Sequence, residues 1–177
     1  MTYSRGVSRP APDHLDRIVE QWDRERPGVD VTALAIMGRL FRVAELANDE
    51  LGGGLRGYGL PAGWFDVLAA LRRAGPPYEL TPTELMRAMM LSSGGVTKRL
   101  DRLVAARLVT RRPDPADRRG VIVRLTPRGE QLIDRALVEH VANEEEILEA
   151  LTPAEQRRLD ALLRRLLAAL EPGEPPG

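Results

Sequence analysis

Arg111 and Arg112, then Arg118 and Arg119, bracket a turn written as Pro113, Asp114, Pro115 and Asp117 and closed by Gly120. Guanidinium groups are permanent cations whose forked donors fit phosphate oxygens and the acceptor edges of guanine. Proline cannot extend a helix, and Asp and Gly suit turns. Beyond Gly120 the chain alternates, with Val121, Val123 and Leu125 on one face and Ile122 and Arg124 on the other. This pattern predicts a hairpin over 109–125 with a basic tip. Just upstream, Ser92, Ser93, Gly94, Gly95, Thr97 and Lys98 open a helix that runs to about Arg107. Small residues allow close approach, hydroxyls can bond phosphates or base edges, and the free N–H groups of a helix start suit an anion. A helix followed by a basic hairpin is suited to duplex DNA, with the helix in the major groove and the hairpin tip at the minor groove or the phosphates.

The candidate DNA contacts are therefore Ser92, Ser93, Thr97, Lys98, Arg102, Arg112, Arg118 and Arg119. Plainer roles compete. The hydroxyls can simply cap the helix, and one tip arginine can brace the hairpin through Asp114 or Asp117. On a wheel of about 3.6 residues per turn, Val96, Leu100, Leu103 and Val104 face the core, while Gly94, Lys98, Asp101 and Arg102 face outward. Arg99 falls on the inner edge, where a cation wants a carboxylate. Asp66, alone inside the apolar run 64–68, is a candidate partner, its plainer reading being an ordinary solvated helix position.

Those groups need elements to hold them. Asp13 caps a helix over 13–25 with Leu15, Ile18, Val19 and Trp22 on one side, and Thr32 starts a second helix to residue 50. The glycine-rich stretch 51–60 predicts a flexible loop, and without a Gly-Lys-Ser/Thr ending it is no phosphate-binding loop. Pro61 starts a third helix to about Arg73. Thr81, Pro82 and Glu84 begin a short helix, and its tight turn into the 93–107 helix makes a helix-turn-helix. Thr126-Pro127 and Thr152-Pro153 open two long helices, the last with a leucine stripe at 159, 162, 163, 166, 167 and 170. The fold class is mainly α with a small β-wing: a winged helix-turn-helix domain with a flanking helical dimerisation region. The expected divisions are a disordered N-terminus over 1–12, an extra helix plus a dimerisation helix over 13–50, the DNA-binding domain over 60–125, dimerisation helices over 126–170 and a disordered tail over 171–177. The flanking helices could instead pack on their own domain; a dimer lets two modules read a palindrome.

Composition narrows the classes. Of 177 residues none is cysteine and two are histidine, so thiolate zinc sites, disulfides and a three-histidine site are excluded, and no metal or cofactor is expected. No Ser/His/Asp set or cofactor loop argues for an enzyme. No apolar run approaches the about 18–20 residues that span a bilayer, and the N-terminus lacks the apolar core of a signal peptide, so no membrane partner and a cytoplasmic location are expected. Net charge is zero, but residues 81–125 carry 10 basic and 4 acidic side chains, against a net −1 before them and −5 after. A basic patch in a neutral chain steers a polyanion to one face. A genome rich in arginine codons would not concentrate the surplus in one segment.

The order of helices, the hairpin sequence DPADRR, the following VxLTPxG and the flanking helices resemble the MarR family of bacterial transcription regulators over about residues 32–170. The resemblance implies a homodimeric winged-helix protein on double-stranded palindromic promoter DNA, a repressor released by a small organic anion. Arg107 departs from the pattern, standing where the family usually has glycine. Trp22 in WDRERPGVD, then GRLFR and WFDVLAALRRAG, are similar to the family's urate-responsive branch. That likeness implies a ligand site of Trp22, Asp66, Arg99 and, less directly, Arg111, with an effector such as urate. A DNA-binding dimer without any ligand response, a dimer answering a different organic anion, and an adaptor using the helix-turn-helix for protein contact stay open as alternatives.

Overall fold

The computed structural model describes residues 11–61, 63–89, 96–115, 117 and 120–171. It divides into two units, residues 1–49 and 50–177. In chain order the elements are α1 (His14–Glu25), α2 (Thr32–Gly57), α3 (Trp64–Arg73), β1 (Glu79–Leu80), α4 (Pro82–Met89), α5 (Val96–Ala105), β2 (Val109–Pro113), β3 (Val121–Leu125), α6 (Pro127–Leu148) and α7 (Pro153–Leu170). Among the described residues no helix is long and apolar enough to cross a membrane.

In the first unit, α1 starts where the sequence places it. The Asp13 carboxylate accepts from Leu15 N and Asp16 N, and Asp16 Oδ2 accepts from Asp13 N at 2.7 Å, a reciprocal capping box. Arg39 on α2 then forks onto both carboxylates, with Nε 2.7 Å from Asp13 and Nη2 2.6 Å from Asp16. Leu15 lies on Gly38, where an added Cβ would stand 2.5 Å from Leu15 Cδ1. Small residue and charged fork together join α1 to α2.

The second unit holds the core. Leu68 and Leu71 of α3, Leu85 of α4, Leu103 of α5, Val123 of β3 and Ile133 of α6 are fully buried and belong to one apolar cluster. Each contributes about 1.5–3 kcal/mol relative to an exposed side chain. The sheet has the order β1-β3-β2, antiparallel throughout, with Val109 opposite Leu125 and Arg111 opposite Val123. The predicted hairpin is present at its predicted limits. The two-residue β1, unforeseen in the sequence, adds Glu79 opposite Arg124.

The loop expected over 51–60 is corrected. Residues 51–57 continue α2, which ends instead in a left-handed turn at Gly59 (φ +65°), with Leu60 N donating to Leu55 O and Gly59 N to Arg56 O. Glycine disfavours a helix interior by about 1 kcal/mol. Here tertiary contact outweighs that penalty: a Cβ on Gly54 would run into Asn143 of α6, and Tyr58 donates to Glu139 of α6 at 2.7 Å. A similar six-residue motif ends α5, with Leu108 N donating to Leu103 O and Arg107 in the left-handed region (φ +58°). Arg107 therefore occupies a backbone conformation that favours glycine.

The LTPxG segment is the junction of hairpin and helix. Leu125 is buried and Thr126 caps α6, its hydroxyl accepting from Gly129 N at 3.0 Å and lying 2.9 Å from the Arg107 carbonyl oxygen. Gly129 passes directly beneath the Leu108 carbonyl, and a Cβ there would collide with backbone oxygen. Gly129→Ala is expected to destabilise the protein by about 1–3 kcal/mol in urea unfolding, because backbone rather than a flexible side chain must yield.

The Asp13 carboxyl is held at about 2, below its ordinary 3.8, first by the hydrogen bond from Arg39. A depressed carboxyl stabilises the fold above its unfolded value and loses that contribution as pH falls through the folded value. With Trp64→Phe leaving Trp22 as the one remaining tryptophan, its fluorescence should change between about pH 4 and 2, and Asp13→Asn should remove that transition.

Candidate nucleic-acid interface

The α5 helix buries Leu100 and Leu103 and exposes Thr97, Lys98, Asp101 and Arg102. For these residues the division is the one its spacing predicts, while Val104 is 37% exposed although the wheel turns it to the core, and the expected positions of Gly94 and the Val96 side chain lie outside what is described. Ser92 and Ser93 lie outside the described residues, as do Arg118 and Arg119 at the hairpin tip. The start of α4 is fixed by Thr81 and Glu84, whose carboxylate accepts from Thr81 N at 2.7 Å while Glu84 N donates to the Thr81 hydroxyl.

Neighbouring arginines on β2 face opposite ways, as strand geometry requires. Arg111 turns toward α5, donating to Asp101 Oδ1 at 2.5 Å and, more weakly, to the Thr97 carbonyl at 3.3 Å. It clamps the hairpin root to the exposed side of the helix. Arg112 turns to the other face and reaches across β3 to Glu79, 2.7 Å away, and Arg124 approaches the same carboxylate at 3.7 Å. The Arg112 hydrogen bond holds the Glu79 carboxyl below its usual range, and Glu79 in turn raises Arg112. The hairpin loop is closed at its base by Asp114 N donating to Gly120 O at 3.0 Å and Gly120 N donating to Asp117 O at 2.8 Å. Asp114 and Asp117 thus stand at the loop root, with Asp114 adding to the field that raises Arg112.

Of the expected ligand residues, Asp66 is exposed in the first turn of α3 and Arg99 is half-buried. No ion pair joins them. The Arg99 guanidinium lies instead against Gly63, which opens α3 with φ +77°, and a side chain at 63 would collide with it. The expected Asp66 partnership is corrected on this point: the backbone notch at Gly63 receives the guanidinium and the carboxylate stays in solvent. Trp22, on α1 in the other unit, is 44% exposed. Two working carboxylates went unassigned in the sequence, Asp101 and Glu79. Their partners are 10 and 33 residues away, and strand register, which the sequence leaves open, decides both pairings. Among the described residues no group of three His, Asp or Glu side chains could hold a metal ion.

Two successive short helices, α4 and α5, followed by a two-stranded wing, with β1 completing the sheet, define a winged-helix DNA-binding protein. The model of the MarR family matches residues 58–120. The HTH-type transcriptional regulator PecS of Dickeya dadantii is 42% identical, the match covering 84% of this chain and 90% of that protein. Among solved structures, the MarR family regulator Sco3205 of Streptomyces coelicolor, in complex with DNA, has a TM-score of 0.74 and 25% identity over 82% of this chain and 95% of its own. BpsR of Bordetella bronchiseptica, described for regulation of its DNA binding by 6-hydroxynicotinic acid, has a TM-score of 0.67 and 28% identity over 74% and 97%. The chain belongs to the MarR family and is a DNA-binding transcriptional regulator.

The Arg111–Asp101 pair is partly exposed, with side-chain accessibilities of 31% and 59%. A double-mutant cycle with Asp101→Asn and Arg111→Gln should give a coupling energy of at most about 1 kcal/mol, shrinking with added salt.

Proposed function

We propose that the protein is a homodimeric repressor that holds palindromic promoter DNA and releases it when a small organic anion, such as urate, binds. The observation that carries the DNA half of this reading is the two-faced α5: Leu100 and Leu103 are buried, Thr97, Lys98 and Arg102 are exposed, and Arg111 fastens the wing root to the same helix. In this reading Ser92, Ser93, Thr97, Lys98 and Arg102 meet the major groove and its phosphates, and Arg118 and Arg119 supply the wing tip. Arg112 begins from its pair with Glu79. The dimer rests on exposed apolar stripes on two helices taken separately. Phe41 is 66% and Ile36 58% exposed on α2, and Leu167 is 53% and Leu170 77% exposed on α7. Exposed apolar stripes of this kind mark association surfaces.

For the effector, an aromatic acid regulating BpsR supports the chemical class, and the likeness to the urate-responsive branch supports Trp22, Asp66, Arg99 and Arg111 as its site. Trp22 stays in the proposal on that likeness alone. Because Arg99 is not bridged to Asp66, the carboxylate with which an incoming anion competes is Asp101 on Arg111. Drawing Arg111 away unfastens the wing root from α5, so ligand affinity becomes a shift in DNA affinity. The second reading, a dimer without ligand response, is favoured by that same occupied Arg111.

Lys98→Ala should lower operator affinity by about 1–3 kcal/mol and alter sequence preference. Trp22→Ala should leave DNA binding intact and blunt release by urate. Calorimetry with urate and related anions on the wild type and on Asp66→Ala separates the readings: no heat of binding for any of them would leave the DNA-binding dimer standing without an effector.

A further inference from the structure

We infer that Glu79 is a specificity-determining residue that withholds Arg112 from the DNA backbone. Arg112 is the second basic residue of the wing root, on the strand that leads to the Arg118/Arg119 tip, and sequence alone makes it a phosphate contact. The sheet places it otherwise. Glu79 stands opposite Arg124 on one edge of β3, and Arg112 stands opposite Ile122 on the other edge. All four side chains therefore share the sheet face away from the core. Arg112 reaches past β3 and donates from two guanidinium nitrogens to Glu79, Nη2 at 2.7 Å and Nε at 3.4 Å. The Glu79 side chain is 15% exposed, against 45% for Arg112 and 53% for Arg124. The more enclosed partner is the acid, so Glu79 anchors the guanidinium to the sheet.

The consequence follows from how DNA affinity divides. Phosphate contacts are sequence-independent and carry the salt dependence, about −0.9 in log K against log salt for each phosphate neutralised on B-DNA. Base contacts carry the preference. An arginine neutralised inside the protein adds nothing to the first, so binding to arbitrary DNA is weaker while base readout by α5 is untouched. Glu79 thereby widens the ratio between operator and bulk DNA, the quantity that matters in a genome full of competing sites. The inference rests on the wing facing the duplex as proposed above.

The test is a salt titration of the full-length protein on a short duplex of arbitrary sequence. Glu79→Gln keeps the shape and removes the charge. It should tighten binding several-fold at low salt and steepen the slope by about 0.9 or more. Arg112→Gln alone should leave the wild-type slope, and adding it to Glu79→Gln should remove the share of the gain that Arg112 supplies. An unchanged slope in Glu79→Gln overturns the inference. So does a slope flattened by about 0.9 in Arg112→Gln alone, which would mean that Arg112 already neutralises a phosphate. The Arg112→Gln measurement leaves Glu79 in place and can still overturn the inference if Glu79→Gln folds poorly. Unchanged slopes in Lys98→Ala and Arg102→Ala would instead unseat the orientation of α5 on DNA, an outcome distinguishable from a failure at Glu79.

Discussion

The approach of residue 129 to the Leu108 carbonyl is the constraint on which the DNA-facing half of the molecule depends. Leu108 ends the turn after α5 and leads into β2, and Gly129 lies in the first turn of α6. The two chain segments meet at backbone contact because position 129 carries no side chain. Thr126 bonds both ends of the junction, capping α6 and contacting the carbonyls of Arg107 and Leu108. The root of the hairpin, the end of α5 and the start of α6 are one joint. The joint is close-packed, with no side chain between the two backbones.

From that joint the electrostatics follow. Strand β2 leaves it with Arg111 and Arg112 on opposite faces, and each meets a carboxylate from a different element, Asp101 on α5 and Glu79 on β1. The Arg111–Asp101 pair is too exposed to contribute much stability. The effect of the two pairs is directional: they decide which cations the surface offers to a polyanion and which it keeps. The surplus of residues 81–125 overstates the charge available for DNA, since Arg112 is neutralised by Glu79, an acid outside that segment.

Much of the fold was legible because local chemistry dictated it. Asp13, Thr81, Thr126 and Thr152 each start a helix through a side-chain bond to the backbone within three residues, so the signal lies in a short window. The hairpin was legible from Pro113, Asp114 and Gly120 together with the period-two alternation after them. The continuation of α2 through Gly52–Gly54 was not, because it depends on Asn143 and Glu139 of α6, nearly ninety residues away. Strand β1 has two residues and no periodicity to read. Within the candidate site, the two faces of α5 could be read from helical spacing, apart from Val104. The partners of Arg99, Arg111 and Arg112 could not, because sheet register and the backbone notch at Gly63 select among several plausible carboxylates.

Methylation protection at guanine N7, which lies in the major groove, tests most directly whether α5 is the reading element. With duplex DNA from the region upstream of the protein's own gene, the expected result is two clusters of protected guanines about one helical turn apart, lost in Thr97→Ala/Lys98→Ala while the folded state persists. Tight binding with every N7 still reactive would contradict it and would place the contact elsewhere on the molecule.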